Sequence, residues 1–298
     1  MRYKLSNFSH IANFVILRDG FFKELGMIEH NLDCMLSIYY EKKFLKRLKN
    51  NTSIKAVITT KELSNDLVDY HIAVSDNPME SYYKIHNYLL NNTSHFEPGI
   101  GYSIGKGCLI SKNAQISSKN VKIGKNCVIN DFVTIKENTV IGDNVKIDSG
   151  CQIGCNGFET KLIDGVQQII PHAGGVIIGN DVELCSNCTV AKALGKSNTK
   201  IGHSTKIDTQ VHIAHGSIVG ESVRIASGAT ISGSVVIGNN VWIGPNSTIS
   251  NGIRICNNAR ITIGSTVIND VESYGHVTGY FSINHKDYIK QRYKVSNL

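Results

Sequence analysis

One stretch of this sequence concentrates groups able to move a proton: Ile207-Asp208-Thr209-Gln210-Val211-His212-Ile213-Ala214-His215-Gly216. An imidazole has an unperturbed pKa near 6.5, which suits a general base at neutral pH. His215 follows an apolar residue and a small one, so it is expected near a corner and facing outward. Asp208, upstream on the adjoining repeat, is a candidate to orient that ring or stabilise its cation. Gly233 lies 18 residues beyond His215. If 18 residues make one turn of a coil, its backbone N–H stacks over the histidine, where it can support an oxyanion. His212 also points outward and is a candidate substrate contact, whereas His203 reads as surface.

The turn length comes from a repeat. Apolar residues recur every six positions at Ile104, Ile110 and Ile116, then from Ile123 to Ile153, at Ile178, Leu184 and Val190, and without a break from Ile201 to Val267. A period of six fits neither a helix nor simple strand alternation, so each hexamer is a short strand plus a corner, and three make one coil. Inward β-branched residues then stack at the usual interstrand spacing of about 4.8 Å. Gly, Asn and Asp recur after them (Gly124-Lys125-Asn126, Gly142-Asp143-Asn144, Gly238-Asn239-Asn240), as corners with unusual backbone angles require. Two interruptions, Gly154 to Val176 and Lys192 to Lys200, fall where a solenoid places functional loops. The first carries Phe158 and Ile170-Pro171-His172, with Phe158 and His172 as candidate substrate contacts.

The expected organisation is mainly β: a parallel β-helix over residues 98–268, a small N-terminal α/β domain over 1–97 with possible nucleotide binding, and a short C-terminal tail, 269–298, with one short helix at Lys286 to Tyr293. In the first domain Ile54 to Thr59 reads as a strand, and Glu41 to Lys49 and Pro78 to Leu90 as helices. No segment approaches the roughly 20 apolar residues of a membrane-spanning helix, and Met1-Arg2-Tyr3-Lys4 leads into no signal-like stretch, so a cytoplasmic location is expected. A net charge of +7 favours acidic partners such as nucleotide diphosphates, but the basic residues form no block that would favour nucleic acid. Cys185-x-x-Cys188 has half the spacing of a zinc site without a second pair, so no metal is expected.

Over nearly its whole length the chain resembles the UDP-3-O-(3-hydroxyacyl)glucosamine N-acyltransferases. The resemblance rests on Leu36-Ser37-Ile38, Ala56-Val57-Ile58, Asp76-Asn77-Pro78, Gly157-Phe158, Ile169-Ile170-Pro171-His172 with Val176-Ile177-Ile178-Gly179, and above all Ile207-Asp208, Gln210 and Ile213-Ala214-His215. It implies a left-handed coil, a homotrimer with sites between neighbouring solenoids, His215 as general base, Asp208 as its partner and Gly233 as the oxyanion donor. It also implies a nucleotide pocket in the first domain. There Ile38 and Glu41 stand where the family has an aromatic and an asparagine, and Phe44 keeps an aromatic. Gly252 replaces the family's second histidine. The tail is shorter than the family's and ends more like coenzyme A-dependent sugar acetyltransferases.

The expectation is therefore an acyltransferase that moves an acyl group from a coenzyme A or acyl carrier protein thioester to the amine of a nucleotide-linked amino sugar, in O-antigen, other envelope polysaccharide or lipid A synthesis. The thioester is a co-substrate, and no permanently bound cofactor is expected. The alternatives are a non-catalytic nucleotide-sugar binding protein and a metal-dependent hydratase on the same helix, for which His203, His212 and His215 are the solenoid candidates.

Overall fold

The computed structural model describes residues 1–28, 30–279 and 285. From Tyr102 the chain winds a triangular prism of three parallel sheets. The first face holds eight strands, from Tyr102–Ile104 to Arg254–Ile255; the second holds nine, from Leu109–Ile110 to His276–Val277; the third holds eight, from Gln115–Ile116 to Thr266–Val267. Each strand pairs with its equivalent one coil away, as His212 with Thr230 and Ile213 with Ile231. The inward residues Ile213, Ile231, Ile243 and Ile249 are all 0% exposed and form one continuous core. That ladder of desolvated aliphatic side chains holds the coils in register.

The corners explain the Gly/Asn/Asp pattern. Asn126, Asn144, Asp181, Asn240 and Asn258 have φ between 56° and 60°. Asn and Asp tolerate this left-handed region, and their side chains hydrogen-bond between coils: Asn144 Nδ2 donates to Asp181 Oδ1 at 3.0 Å, and the Glu221 N–H to Asn239 Oδ1 at 2.9 Å. The glycine ahead of such a corner answers a second demand. A Cβ on Gly124 would lie 2.5 Å from the Gly142 backbone, so the coils approach too closely there for any side chain.

The prism continues beyond the hexapeptide count. Val271 bridges Ile255, and His276–Val277 pairs with Arg260–Ile261, so residues assigned to the tail add a bridge and a strand to the helix. The step from Val267 to Val271 is four residues instead of six, and this shortened side hides the continuation from a strict count of six. The tail helix expected at 286–293 lies outside the described residues.

Ahead of the prism stands a five-stranded sheet in the order Val15–Arg18, His71–Val74, Ile54–Thr59, Met35–Tyr39, Glu24–Leu25, parallel except for Val15–Arg18. The helix Pro78–Asn92 packs against it. Pro at the first helical position and Asn77, whose Oδ1 accepts the Glu80 N–H at 3.2 Å, start that helix. Where one helix is expected from Glu41 to Lys49, a 3-10 turn at Lys42–Phe44 runs into the helix Leu45–Asn50.

Both interruptions of the repeat bind this domain to the prism. The first folds as a hairpin, Thr160–Ile163 against Val166–Ile169, whose tip residue Asp164 accepts from Lys84 Nζ at 2.5 Å while its N–H donates to Glu80 Oε1 at 3.1 Å. Ile163, Ile170 and Ala173 are buried in the core of the N-terminal domain. From the second, Leu194 packs on that core and Lys196 Nζ reaches Glu24 Oε1 at 2.8 Å. The two also bond to each other: the N–H groups of Ala173 and Gly174 donate to the carbonyls of Leu194 and Ala193 at 2.8 and 2.9 Å.

Candidate active site

His215 sits at the corner that leads from the third face to the first, separated from the strand His212–Ile213 by Ala214. Its backbone is held on both sides. The N–H of Gly216 (φ 69°) donates to Thr199 Oγ1 at 2.9 Å, Thr199 Oγ1 donates to the Ala191 carbonyl at 2.6 Å, and the His215 carbonyl accepts the Ser234 N–H at 2.9 Å. A fully buried threonine thus fixes the turn that presents the imidazole.

The ring lies between two glycines. A Cβ on Gly233 would stand 2.7 Å from Cε1 and 2.8 Å from Nε2 of His215; a Cβ on Gly157 would stand 2.8 Å from its Cδ2 and 2.7 Å from His172 Nε2. Gly233 is one coil above, where the 18-residue spacing places it. Among the described residues nothing accepts its N–H, which leaves that donor for a ligand. Gly157 comes from the first interruption, and no repeat arithmetic reaches it.

His172 is the second imidazole, its ring centroid 5.1 Å from that of His215 and the planes at 67°. It is 1% exposed, and Nδ1 lies 3.0 Å from the Ile170 carbonyl, so Nδ1 carries the proton and donates, leaving a lone pair on Nε2. That Nε2 is buried with no hydrogen-bond partner among the described residues. Burial, then the neighbouring His215, pushes the His172 pKa down to about 4. Burial also lowers that of His215, opposed by the Glu159 carboxylate, so His215 is a neutral base at pH 7.

Asp208 is not at the imidazole. It follows the strand Lys206–Ile207 on the second face, so it occupies the preceding corner of the prism. There its Oδ1 accepts the Thr209 N–H at 2.7 Å, and no bond or charge contact joins it to His215 of the same chain. The carboxylate whose charge raises the His215 pKa is Glu159, from the first interruption, itself paired with Lys161 at 2.6 Å. Counting seven residues back along the chain crosses a corner, and the nearby carboxylate enters from an insertion.

The remaining candidates separate into three places. His212 projects from the third face between Thr189 and Thr230, half-buried, its pKa lowered by burial and then by His215. Phe158, beside Gly157, is 79% exposed. Ile38 and Phe44 meet far from the bases in sequence, in an apolar pocket of about 230 Å³ completed by Met27, Ile28, Tyr40 and Met79. Gly252 (φ 71°) donates its N–H to the Gly233 carbonyl at 2.9 Å, so at this position the chain supports the oxyanion candidate through backbone alone. His203 Nδ1 accepts the Asn180 N–H at 2.9 Å on another corner. Cys185 is exposed and Cys188 buried, so the pair does not converge, and no group of three metal-binding side chains occurs among the described residues.

Residues 120–155 and 198–233 match the bacterial transferase hexapeptide (six repeats) family. The chain is 39% identical over 102 residues to UDP-3-O-acylglucosamine N-acyltransferase 1 of Francisella tularensis subsp. holarctica (strain OSU18), a match that covers 34% of this chain and 29% of that protein. It is 43% identical over 83 residues to UDP-3-O-acylglucosamine N-acyltransferase of Pseudomonas aeruginosa (strain LESB58), covering 28% and 23%. These matches span less than a third of either relative's length. Among solved structures, UDP-N-acetylglucosamine acyltransferase from Campylobacter jejuni superposes with a TM-score of 0.53 at 24% identity, over 65% of this chain and 79% of that one. That likeness shows the fold. The chain carries a left-handed parallel β-helix of bacterial transferase hexapeptide repeats and is similar, over part of its length, to UDP-3-O-acylglucosamine N-acyltransferases.

Proposed function

We propose that the protein is a cytoplasmic, homotrimeric acyltransferase that moves an acyl group from a coenzyme A or acyl carrier protein thioester to the amine of a nucleotide-linked amino sugar. The observation that carries this is a neutral, half-buried imidazole pressed against a glycine whose N–H has no acceptor among the described residues. In the reaction the amine nitrogen attacks the thioester carbonyl carbon and a C–N bond forms. A ring nitrogen of His215 takes the proton that the amine sheds, while the Gly233 N–H donates to the oxyanion. Collapse breaks the C–S bond, and the departing sulfur takes the proton back from His215. Glu159 favours the imidazolium in between. Phe158 and His212 flank the acceptor sugar, His172 backs the base, and Ile38 and Phe44 line the pocket offered to the nucleotide base.

The relatives' name favours a UDP-linked glucosamine derivative and hence lipid A synthesis. The missing second histidine, replaced by Gly252, favours a short acyl group and an O-antigen or related envelope sugar instead. Coenzyme A and acyl carrier protein thioesters, each tested with UDP- and dTDP-linked amino sugars, separate these readings. A nucleotide-sugar binding protein would consume no thioester, and a hydratase would need stoichiometric metal.

His215→Ala is the decisive variant. Its turnover is expected to fall about 10²- to 10⁴-fold, the range for loss of a general base, with an unchanged melting transition. Near-wild-type turnover in a folded protein would overturn the assignment. The low pKa of His215 further places the acid limb of kcat/KM below pH 6.5, the ordinary imidazole value.

A further inference from the structure

Beneath His215 the same corner of the prism opens into a groove of about 720 Å³, and Lys136 and Lys192 both line it. The pairing of Thr189 with His212 and Val190 with Ile213, carried two residues on, sets Lys192 one rung below the base. Its side chain is only 12% exposed, and its nearest carboxylate is Glu137 Oε1 at 3.9 Å, beyond hydrogen-bonding distance. No acceptor among the described residues takes any of its three N–H donors. A largely buried lysine that borders the groove and is so loosely paired gains from an anion placed there, and burial lowers the Lys192 pKa. Glu137 is half-exposed and able to turn aside, while Thr134, Gln115 and Asn156 add neutral polar groups along the groove.

We propose that Lys192, with Lys136, binds a diphosphate in this groove, that of the sugar nucleotide. The inference rests on the acyl-transfer reading for the identity of the ligand, and on the groove itself for its charge and place. The two residues stand on adjacent rungs, about 4.8 Å apart along the axis, and a phosphate on the anomeric carbon lies only a few bonds from an amine on the next ring carbon. A diphosphate on Lys192 therefore delivers such an amine to His215. Coenzyme A carries a diphosphate too, and is the other source of the same chemistry.

The test is titration calorimetry on the full chain with three probes: inorganic pyrophosphate, UDP and coenzyme A. In Lys192→Met, with melting and oligomeric state matching the parent, affinity for pyrophosphate and UDP is expected to fall about ten- to a hundredfold, as for loss of a charge-assisted contact. Coenzyme A should be unaffected, and Lys192→Arg should restore most of the loss. Loss for coenzyme A but not UDP would overturn the sugar-nucleotide assignment and give the groove to the donor. Unchanged affinity for all three probes, or no binding of any by the parent chain, would overturn the diphosphate site altogether. His215→Ala should bind UDP like the parent, so failure of the transfer reading and failure of the groove show up in different variants.

Discussion

The regular coils that carry His215, from Asn198 to Val267, and the stretch beneath them, from Gly154 to Ser197, divide the work of the molecule differently. Above, every side of the prism is six residues, each inward side chain is predictable from its neighbours, and the site draws on His212, His215 and the bare backbone of Gly233. Beneath, the rhythm fails twice. The irregular chain supplies Gly157, Glu159, His172 and Lys192, and it also ties the N-terminal domain to the prism through Asp164 and Lys196. Regular coils make a rigid wall, and the insertions make that wall specific.

Substitutions in the two regions should therefore fail in different ways. Ile231→Ala, in the regular wall and fully buried, should cost about 2–5 kcal/mol in urea unfolding. A loss below about 1 kcal/mol would mean that the coils relax into the cavity and that the wall is less rigid than described. Gly157→Ala, in the insertion, should leave stability nearly intact. Its Cβ would nevertheless displace both imidazoles and lower kcat/KM about 10- to 100-fold. Equal losses in stability and activity there would erase the distinction.

A pH measurement sharpens the same contrast. Protonating His172 favours the unfolded chain, so its burial contributes stability that is fully present above its ordinary pKa of 6.5 and is lost as pH falls from there toward about 4. His172→Gln should flatten the stability profile across that window, and a profile identical to the parent's would show that the ring is solvated. The smallest effect is expected at the hairpin tip. Asp164→Asn removes the exposed partner of the buried Lys84, which keeps Glu80 at 3.0 Å, and should cost under about 1 kcal/mol, with any kinetic effect in KM for the sugar nucleotide rather than in kcat. A large loss of stability would mean that the tip, rather than the buried Ile163 and Ile170, carries the joint.

The six-residue count alone determined the parallel coils, the inward ladder, the Gly and Asn corners, and the stacking of Gly233 on His215, because all of these follow from local periodicity and one interval of 18 residues. Only the tertiary structure decided which carboxylate lies near enough to His215 to act on it through its charge. Asp208 and His215 are seven residues apart yet on different corners, while Glu159, 56 residues away, is a neighbour in space. It likewise decided that the insertions join two domains and that His172 backs His215. An insertion has no period, so where it lands is set by the surfaces it buries, and Ile163, Ile170 and Leu194 carry no sign in the sequence of the distant core they complete.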